Sequence, residues 1–249
     1  MTSMGLDGGQ GQGSSGESVV ESGHAAALSK LHLHTPPNWE EIISKEELHH
    51  LLDAGDQTGV HVVAGDIRGS TLLMREAISS REYATIATSF AEVVLKTAQE
   101  TSGWFDRFTG DGFIVYWIYG RTPSRFLREV IAFSAKMHSI FEETFLPHHR
   151  KNARNLPAHV GLSLGIDSGR CSMEVIAGDF TMIGHAVVGA VRMVDAAKRG
   201  ETLCNIRTAQ LLLDAAPFGG VAQMSPTIVR TKEYPDPGQE AYMITFRQV

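Results

Sequence analysis

The chain has 249 residues, of which 43% are hydrophobic, and it carries a formal net charge of −6 at pH 7. The length and apolar content predict one substantial domain with appendages, and the negative charge argues against a nucleic-acid binder, which needs a basic face to displace counterions. The sequence shows neither an apolar run of about 18 residues nor a secretory signal, so we expect a cytoplasmic protein without a membrane span.

The N-terminal part divides into two predicted segments. Residues 1–35 are predicted to be a disordered tail, because the segment begins with a stretch rich in Gly, Ser and Gln that cannot offset its ordering entropy. Residues 36–58 are predicted to form a helical extension, with apolar residues at helical spacing and Ser44 placed to cap its second part. Residues 59–249 are predicted to form the main folded domain.

The domain begins with a β-branched run over residues 60–64, which predicts a buried strand that ends near Asp66. Gly69, Ser70 and Thr71 follow this strand, and the two hydroxyl side chains are predicted to cap a short helix. The N–H groups and the positive dipole at such a helix start can receive nucleotide phosphates, although the same residues also fit an ordinary cap.

A longer helix is predicted to start at Ser79 and Ser80, with its apolar residues on one stripe. After it, Asp111 and Gly112 stand between two apolar runs, and an Asp-Gly pair in that setting is a strong hairpin signal. The second half is predicted to contain three helices (123–145, 184–197 and 208–213), three strand-like runs (158–166, 170–176 and 201–204) and a final hairpin (227–231 with 240–246). Cys171 and Cys204 form no CxxC pattern, so reduced, buried thiols are expected.

The order strand, helix, hairpin, helix, strand predicts an α+β fold with a ferredoxin-like βαββαβ core and an elaborated C-terminal half. In such a sheet the first strand and the hairpin are neighbours, which would place Asp66 beside Asp111. Two carboxylates on one rim, without cysteine or histidine, suit the hard ions Mg²⁺ or Mn²⁺ together with a phosphate chain.

A third motif follows the two aspartate motifs: Gly184 begins a predicted helix that carries Arg192 eight residues later. The three motifs together have a recognisable order along the chain. The strings 66–71 (DIRGST) and 110–112 (GDG) resemble the two metal motifs of class III nucleotidyl cyclases, and the resemblance covers residues from about 59 to 246. It implies that Asp66 and Asp111 hold two divalent metals per site, Mg²⁺ or Mn²⁺, with help from the Ile67 carbonyl.

The same resemblance implies roles for residues later in the chain. Arg107 and Thr181 would read the base, Arg192 would neutralise charge on the α-phosphate, and Lys232 would bind phosphate. It also implies a head-to-tail homodimer with composite sites, in which one chain supplies Asp66 and the partner supplies Arg192. Nucleoside triphosphate is the implied substrate.

Two positions depart from the family pattern. Val188 stands where the family has an asparagine that orients the ribose, and Arg107 replaces the usual base-reading lysine. Arginine is longer and carries a planar fork of five N–H donors, which leaves less room and suits uracil better than adenine. The chain therefore resembles the pyrimidine cyclases of bacterial antiphage (Pycsar-type) systems.

The predicted activity is conversion of UTP to cyclic UMP and pyrophosphate in antiviral defence. One alternative is an adenylate cyclase, which would convert ATP to cyclic AMP. The other is a catalytically degenerate nucleotide-binding module, which Val188 and Arg107 favour and which the retained Asp66, Asp111 and Arg192 argue against.

Overall fold

The computed structural model describes residues 29–155, 158–176, 179–215, 221–232 and 234–247. Most of the predicted disordered tail, residues 1–28, lies outside the described residues. Its last part does not follow the prediction, because residues 29–34 are helical and Leu31 is buried.

The strands are β1 (Gln57–Arg68), β2 (Trp104–Phe108), β3 (Gly112–Ile118), β4 (Gly161–Ile176), β5 (Asp179–Gly184), β6 (Thr202–Asn205), β7 (Val221–Val229) and β8 (Gln239–Phe246). The helices are α1 (residues 29–34), α2 (Trp39–Ile42), α3 (Lys45–Ala54), α4 (Ser70–Glu76), α5 (Ser80–Glu100), α6 (Leu127–Ile140), α7 (Leu146–Asn152), α8 (His185–Ala196) and α9 (Ile206–Asp214). A π-helical turn, Phe141–Phe145, joins α6 to α7, so the helix predicted over 123–145 starts later and runs further.

Within the described residues these strands form one eight-stranded, mostly antiparallel sheet of order β2-β3-β1-β4-β6-β8-β7, with β5 paired to β4. Strand β1 pairs antiparallel with both β3 and β4, which confirms the predicted ferredoxin-like core. Strand β6 runs parallel to β4, and the β7–β8 hairpin extends the sheet beyond it, as the predicted elaborated C-terminal half requires.

The two runs predicted over 158–166 and 170–176 are in fact one long strand, β4. A glycine within this strand, Gly165, serves the packing of a helix. A Cβ atom at Gly165 would lie 2.1 Å from the Ala190 carbonyl oxygen and 2.3 Å from the Val194 backbone nitrogen. Glycine at this strand position therefore allows the backbone of α8 to approach the sheet closely.

This close approach makes Gly165→Ala a destabilising substitution. Because the new methyl group meets helix backbone that cannot rotate away, we expect unfolding to become easier by about 1–3 kcal/mol. Gly169→Ala in the same strand is the matched control, since its Cβ would be 3.4 Å from the nearest atom, the Ala186 Cβ, and should be tolerated. Urea denaturation measures both variants, and equal stabilities would contradict the packing of α8.

Helices cover both faces of the sheet. On one face, α5, α6, α7 and α9 contribute to a cluster that includes Phe90, Phe133 and Leu212. On the other face, α8 lies beside the N-terminal helices α1, α2 and α3, which bury Leu31, Ile42, Ile43, Leu48 and Leu52 against the sheet. The N-terminal extension is thus part of the core of the fold.

The predicted cap of α3 is confirmed. The Ser44 side chain accepts from the Glu47 N–H, and the Glu47 carboxylate accepts from the Ser44 N–H. Cys171 and Cys204 are free and buried, as expected. In the part of the chain that the structure describes, no helix combines the length and apolarity that a membrane crossing requires.

Candidate active site

The two aspartates of the predicted metal site lie on one rim of the sheet. Asp66 is near the end of β1, where it pairs with Gly112, the residue after Asp111. The Ile67 N–H donates to the Asp111 carbonyl at 3.3 Å, which joins the strand end to the hairpin turn. Burial raises the pKa of Asp66, and the nearby Asp111 carboxylate raises it further. The rim therefore concentrates negative charge where a cation would be favoured.

Ser70 has a different role from the predicted cap. The cap residue of α4 is Gly69, in the left-handed conformation (φ 77°), and no side chain caps this helix. The Ser70 hydroxyl instead donates to the Asp111 carboxylate. The first N–H groups bonded within this helix are those of Leu72 and Leu73, so the N–H groups of Ser70 and Thr71 precede the helical ladder.

Arg68 is a site residue that the sequence analysis missed. Its Nη1 lies 3.2 Å from the Asp66 Oδ2, and its Nε donates to the Ser163 Oγ at 2.9 Å. The other end of the guanidinium donates to the Val194 carbonyl at the end of α8. Arg68 thereby holds the Asp66 carboxylate and links it to α8. The sequence could have indicated this role, because Arg68 follows Asp66 by two residues and residues i and i+2 of a strand share a face.

The donor set of the rim fits a hard divalent cation. No group of three or more His, Cys, Asp or Glu side chains that could hold a metal occurs among the described residues. Mg²⁺ is commonly held by one or two carboxylates together with water and substrate phosphates. Asp66 and Asp111 supply that number of carboxylates on a partly exposed rim.

The two predicted base-reading residues are in direct contact. The Arg107 Nη2 on β2 donates to the Thr181 Oγ1 on β5 at 3.0 Å. The Arg107 Nε also donates to the Asp106 Oδ2 at 2.6 Å, a partner that the sequence analysis did not assign. The Arg107 side chain is 45% exposed, whereas Asp106 is 1% exposed. The guanidinium is therefore anchored on its buried side and open on the other.

Arg192 lies on α8, whose buried face is formed by Ala186, Ala190, Met193 and Val194. Val188 is 45% exposed and stands one helical turn before Arg192, so the two residues share the outward side of the helix. Arg192 is half-buried. The structure thus places the predicted phosphate arginine and the altered ribose position next to each other.

Lys232 is exposed in the segment after β7, at the edge of the sheet opposite to β2. Among the residues that the structure describes, no hydrogen bond or ion pair joins the aspartate rim to Arg107, Thr181 or Lys232.

No family model matches the chain, and no curated protein matches it. Solved structures do match. The chain is similar to the adenylyl cyclase CyaB from P. aeruginosa, with a TM-score of 0.66 and 20% identity over 78% of this chain and 96% of that one. It is also similar to the guanylate cyclase domain of RhGC from Catenaria anguillulae, solved with GTP, with a TM-score of 0.62 and 16% identity over 78% and 100% of the two chains.

A third similar structure is the non-canonical dimeric guanylyl cyclase domain of the RhoGC fusion protein from the aquatic fungus Blastocladiella emersonii. Its TM-score is 0.61, at 14% identity over 78% of this chain and 99% of that one. The chain therefore has the fold of adenylyl and guanylyl cyclase catalytic domains.

Proposed function

We propose that this protein is a nucleotidyl cyclase. The observation that carries the proposal is the position of Asp66 and Asp111 on one rim of a cyclase-like sheet. In the reaction, the 3′-oxygen of a nucleoside triphosphate bonds to its own α-phosphorus and loses its proton. The bond from the α-phosphorus to the bridging oxygen breaks, and pyrophosphate leaves.

Asp66, Asp111 and the Ile67 carbonyl would hold two Mg²⁺ or Mn²⁺ ions. When bound, such ions lower the pKa of the attacking hydroxyl and neutralise phosphate charge. Arg68 and Ser70 keep the two carboxylates in place through the contacts described above.

The remaining candidate residues contact the substrate in this proposal. The N–H groups at Gly69, Ser70 and Thr71 would receive the terminal phosphates, and Lys232 would bind phosphate as well. Arg192 would stabilise charge that develops on the α-phosphate.

The proposed enzyme is a cytoplasmic homodimer with two composite sites. The resemblance of the Asp66, Asp111 and Arg192 motifs to those of class III cyclases supports this arrangement. In a two-fold dimer, the rim of one chain can face the base-reading pair of the other.

We further propose UTP as the preferred substrate, with cyclic UMP as the product and bacterial antiviral defence as the role. The presence of Arg107 supports this preference, because arginine is longer than lysine and leaves less room for a purine, while its planar fork of donors can bond to the carbonyl oxygens of uracil. Conversion of ATP to cyclic AMP is the second candidate. A degenerate nucleotide-binding module is the third, favoured by the exposed Val188 at the ribose position.

The test is incubation of the purified protein with each of the four nucleoside triphosphates and Mn²⁺, with products identified by mass spectrometry. Cyclic UMP as the main product is the expected result. Cyclic AMP as the main product would overturn the pyrimidine proposal alone. Absence of every cyclic nucleotide, from protein that binds triphosphate, would establish the degenerate module.

The base preference should depend on the guanidinium of Arg107. Arg107→Lys keeps the charge but removes the fork, so discrimination against purines should weaken by about 1–3 kcal/mol for each lost bond to a buried acceptor, roughly one to two decades. The measurement is kcat/KM for UTP, CTP, ATP and GTP. Arg230→Lys, an exposed arginine paired with Asp236, is the control. Unchanged ratios of kcat/KM between the pyrimidine and purine substrates would show that Arg107 does not read the base.

A further inference from the structure

Asp106 is a buried carboxylate immediately before the base-reading Arg107. Its side chain is 1% exposed. An ionised carboxylate at such a position is costly unless it is paired and hydrogen-bonded. The contacts of the Asp106 carboxylate therefore indicate its role.

The carboxylate bridges the two strands that form the base-reading pair. Its Oδ2 accepts from the Arg107 Nε at 2.6 Å on β2, and its Oδ1 accepts from the Met182 N–H at 3.2 Å on β5. Met182 directly follows Thr181, whose hydroxyl contacts the Arg107 Nη2 at 3.0 Å. The guanidinium is thus held at two nitrogens, by the carboxylate and by the threonine.

The N-terminal extension packs against the strands that carry this pair. His34 of α1 stacks on the Phe105 ring, and its Nδ1 lies 3.0 Å from the Phe105 carbonyl oxygen. Lys30 of the same helix pairs with Asp179 at the start of β5. The Asp106 carboxylate is itself almost inaccessible to water, and a charged hydrogen bond is stronger at such a position than at an open surface.

We propose that Asp106 is a positioning residue for base selection, whose carboxylate fixes the Arg107 guanidinium in the orientation that reads the nucleotide base; this inference rests on the proposed cyclase function. An arginine that is already ordered loses less conformational freedom when it binds the base. The remaining N–H groups of the fork are then presented in one geometry, and a base with mismatched acceptors is rejected.

The variant that tests this is Asp106→Asn. Asparagine keeps an oxygen that can accept from the Met182 N–H, but it removes the charge that holds the Arg107 Nε. We expect the ratio of kcat/KM between the best and worst base to fall roughly threefold to tenfold, as expected when one long side chain must be ordered on binding. In an Arg107→Lys background the same change should add little, because the partner of the carboxylate is gone.

Two further measurements separate positioning from folding. Calorimetric affinities for the four triphosphates report base selection without turnover. The NMR signal of the Arg107 Nε–H can be assigned by its disappearance in Arg107→Lys. This proton should exchange slowly with solvent in the native protein and faster in Asp106→Asn. Asp214→Asn removes an exposed carboxylate from α9 and is the control. If Asp106→Asn does not fold, Asp106→Glu keeps the charge, displaces the carboxylate by one methylene, and should lower the best-to-worst ratio too.

The outcomes are distinguishable. A best-to-worst ratio that falls as expected, together with loss of Nε–H protection, supports the inference. An unchanged ratio in a folded variant overturns it, as does an unprotected Arg107 Nε–H in the native protein. A native protein that ranks the bases by affinity but forms no cyclic product would contradict the proposed function and leave the inference standing. Failure to bind any triphosphate would overturn both.

Discussion

Replacement of Asp66 or Asp111 by alanine should lower cyclase turnover by roughly 10²–10³-fold or more, while the protein stays folded. Each change removes one of the two carboxylates on the rim, and groups that stabilise developing charge have effects of this size. Asp111→Asn is the cleaner variant for the hairpin, because asparagine also favours turns. The assay is formation of cyclic product with Mn²⁺.

The free energy of unfolding is the control that separates loss of catalysis from loss of folding in these variants. Burial and the neighbouring Asp111 carboxylate raise the pKa of Asp66 in the folded protein, so its ionised form is held at a cost near neutral pH. Asp66→Asn should therefore leave the free energy of unfolding unchanged or slightly higher. Asp214→Asn, which alters an exposed carboxylate on α9 hydrogen-bonded to Gln210, should affect neither activity nor stability. Near-normal turnover in either alanine variant would be incompatible with the two-metal proposal.

Arg192→Ala should lower kcat by roughly 10³- to 10⁵-fold and change KM much less. The reason is that the proposed contact forms with charge that appears on the α-phosphate during the reaction, and arginines in such positions have effects of this size. Steady-state kinetics with the preferred triphosphate separates the two parameters. A variant that loses binding and keeps kcat would assign Arg192 to ground-state binding.

The same arginine tests the composite site. Asp66→Ala and Arg192→Ala damage different halves, so a mixed dimer contains one intact site. After random exchange of subunits, half of the dimers are mixed, and we expect about a quarter of the native activity. Each variant mixed with itself is the control. No recovery, despite exchange shown by native mass spectrometry, would count against sites shared between subunits.

The order of the core elements and the juxtaposition of the two aspartates were predictable from the sequence. Strands and helices have distinct apolar periods, and the Asp-Gly pair at Asp111 and Gly112 marks a hairpin. Once β1 and that hairpin are adjacent, register alone brings Asp66 to Gly112. The prediction needed only these short-range signals and the rule that the first strand and the hairpin are neighbours in a ferredoxin-like sheet.

The partners of the candidate side chains were decided only by the tertiary structure. Arg68 reaches the Asp66 carboxylate and α8, Ser70 bonds to Asp111 instead of capping its helix, and Asp106 joins Arg107 to β5. The contacts of Ser70 and Asp106 depend on which loop and which strand pack beside them. The local sequence around these residues does not determine that packing. Gly165 shows the same limit, because a glycine in a strand can mark a break or a close approach. Only the packed position of α8 distinguishes the two, since the space beside a residue is a property of the assembled fold.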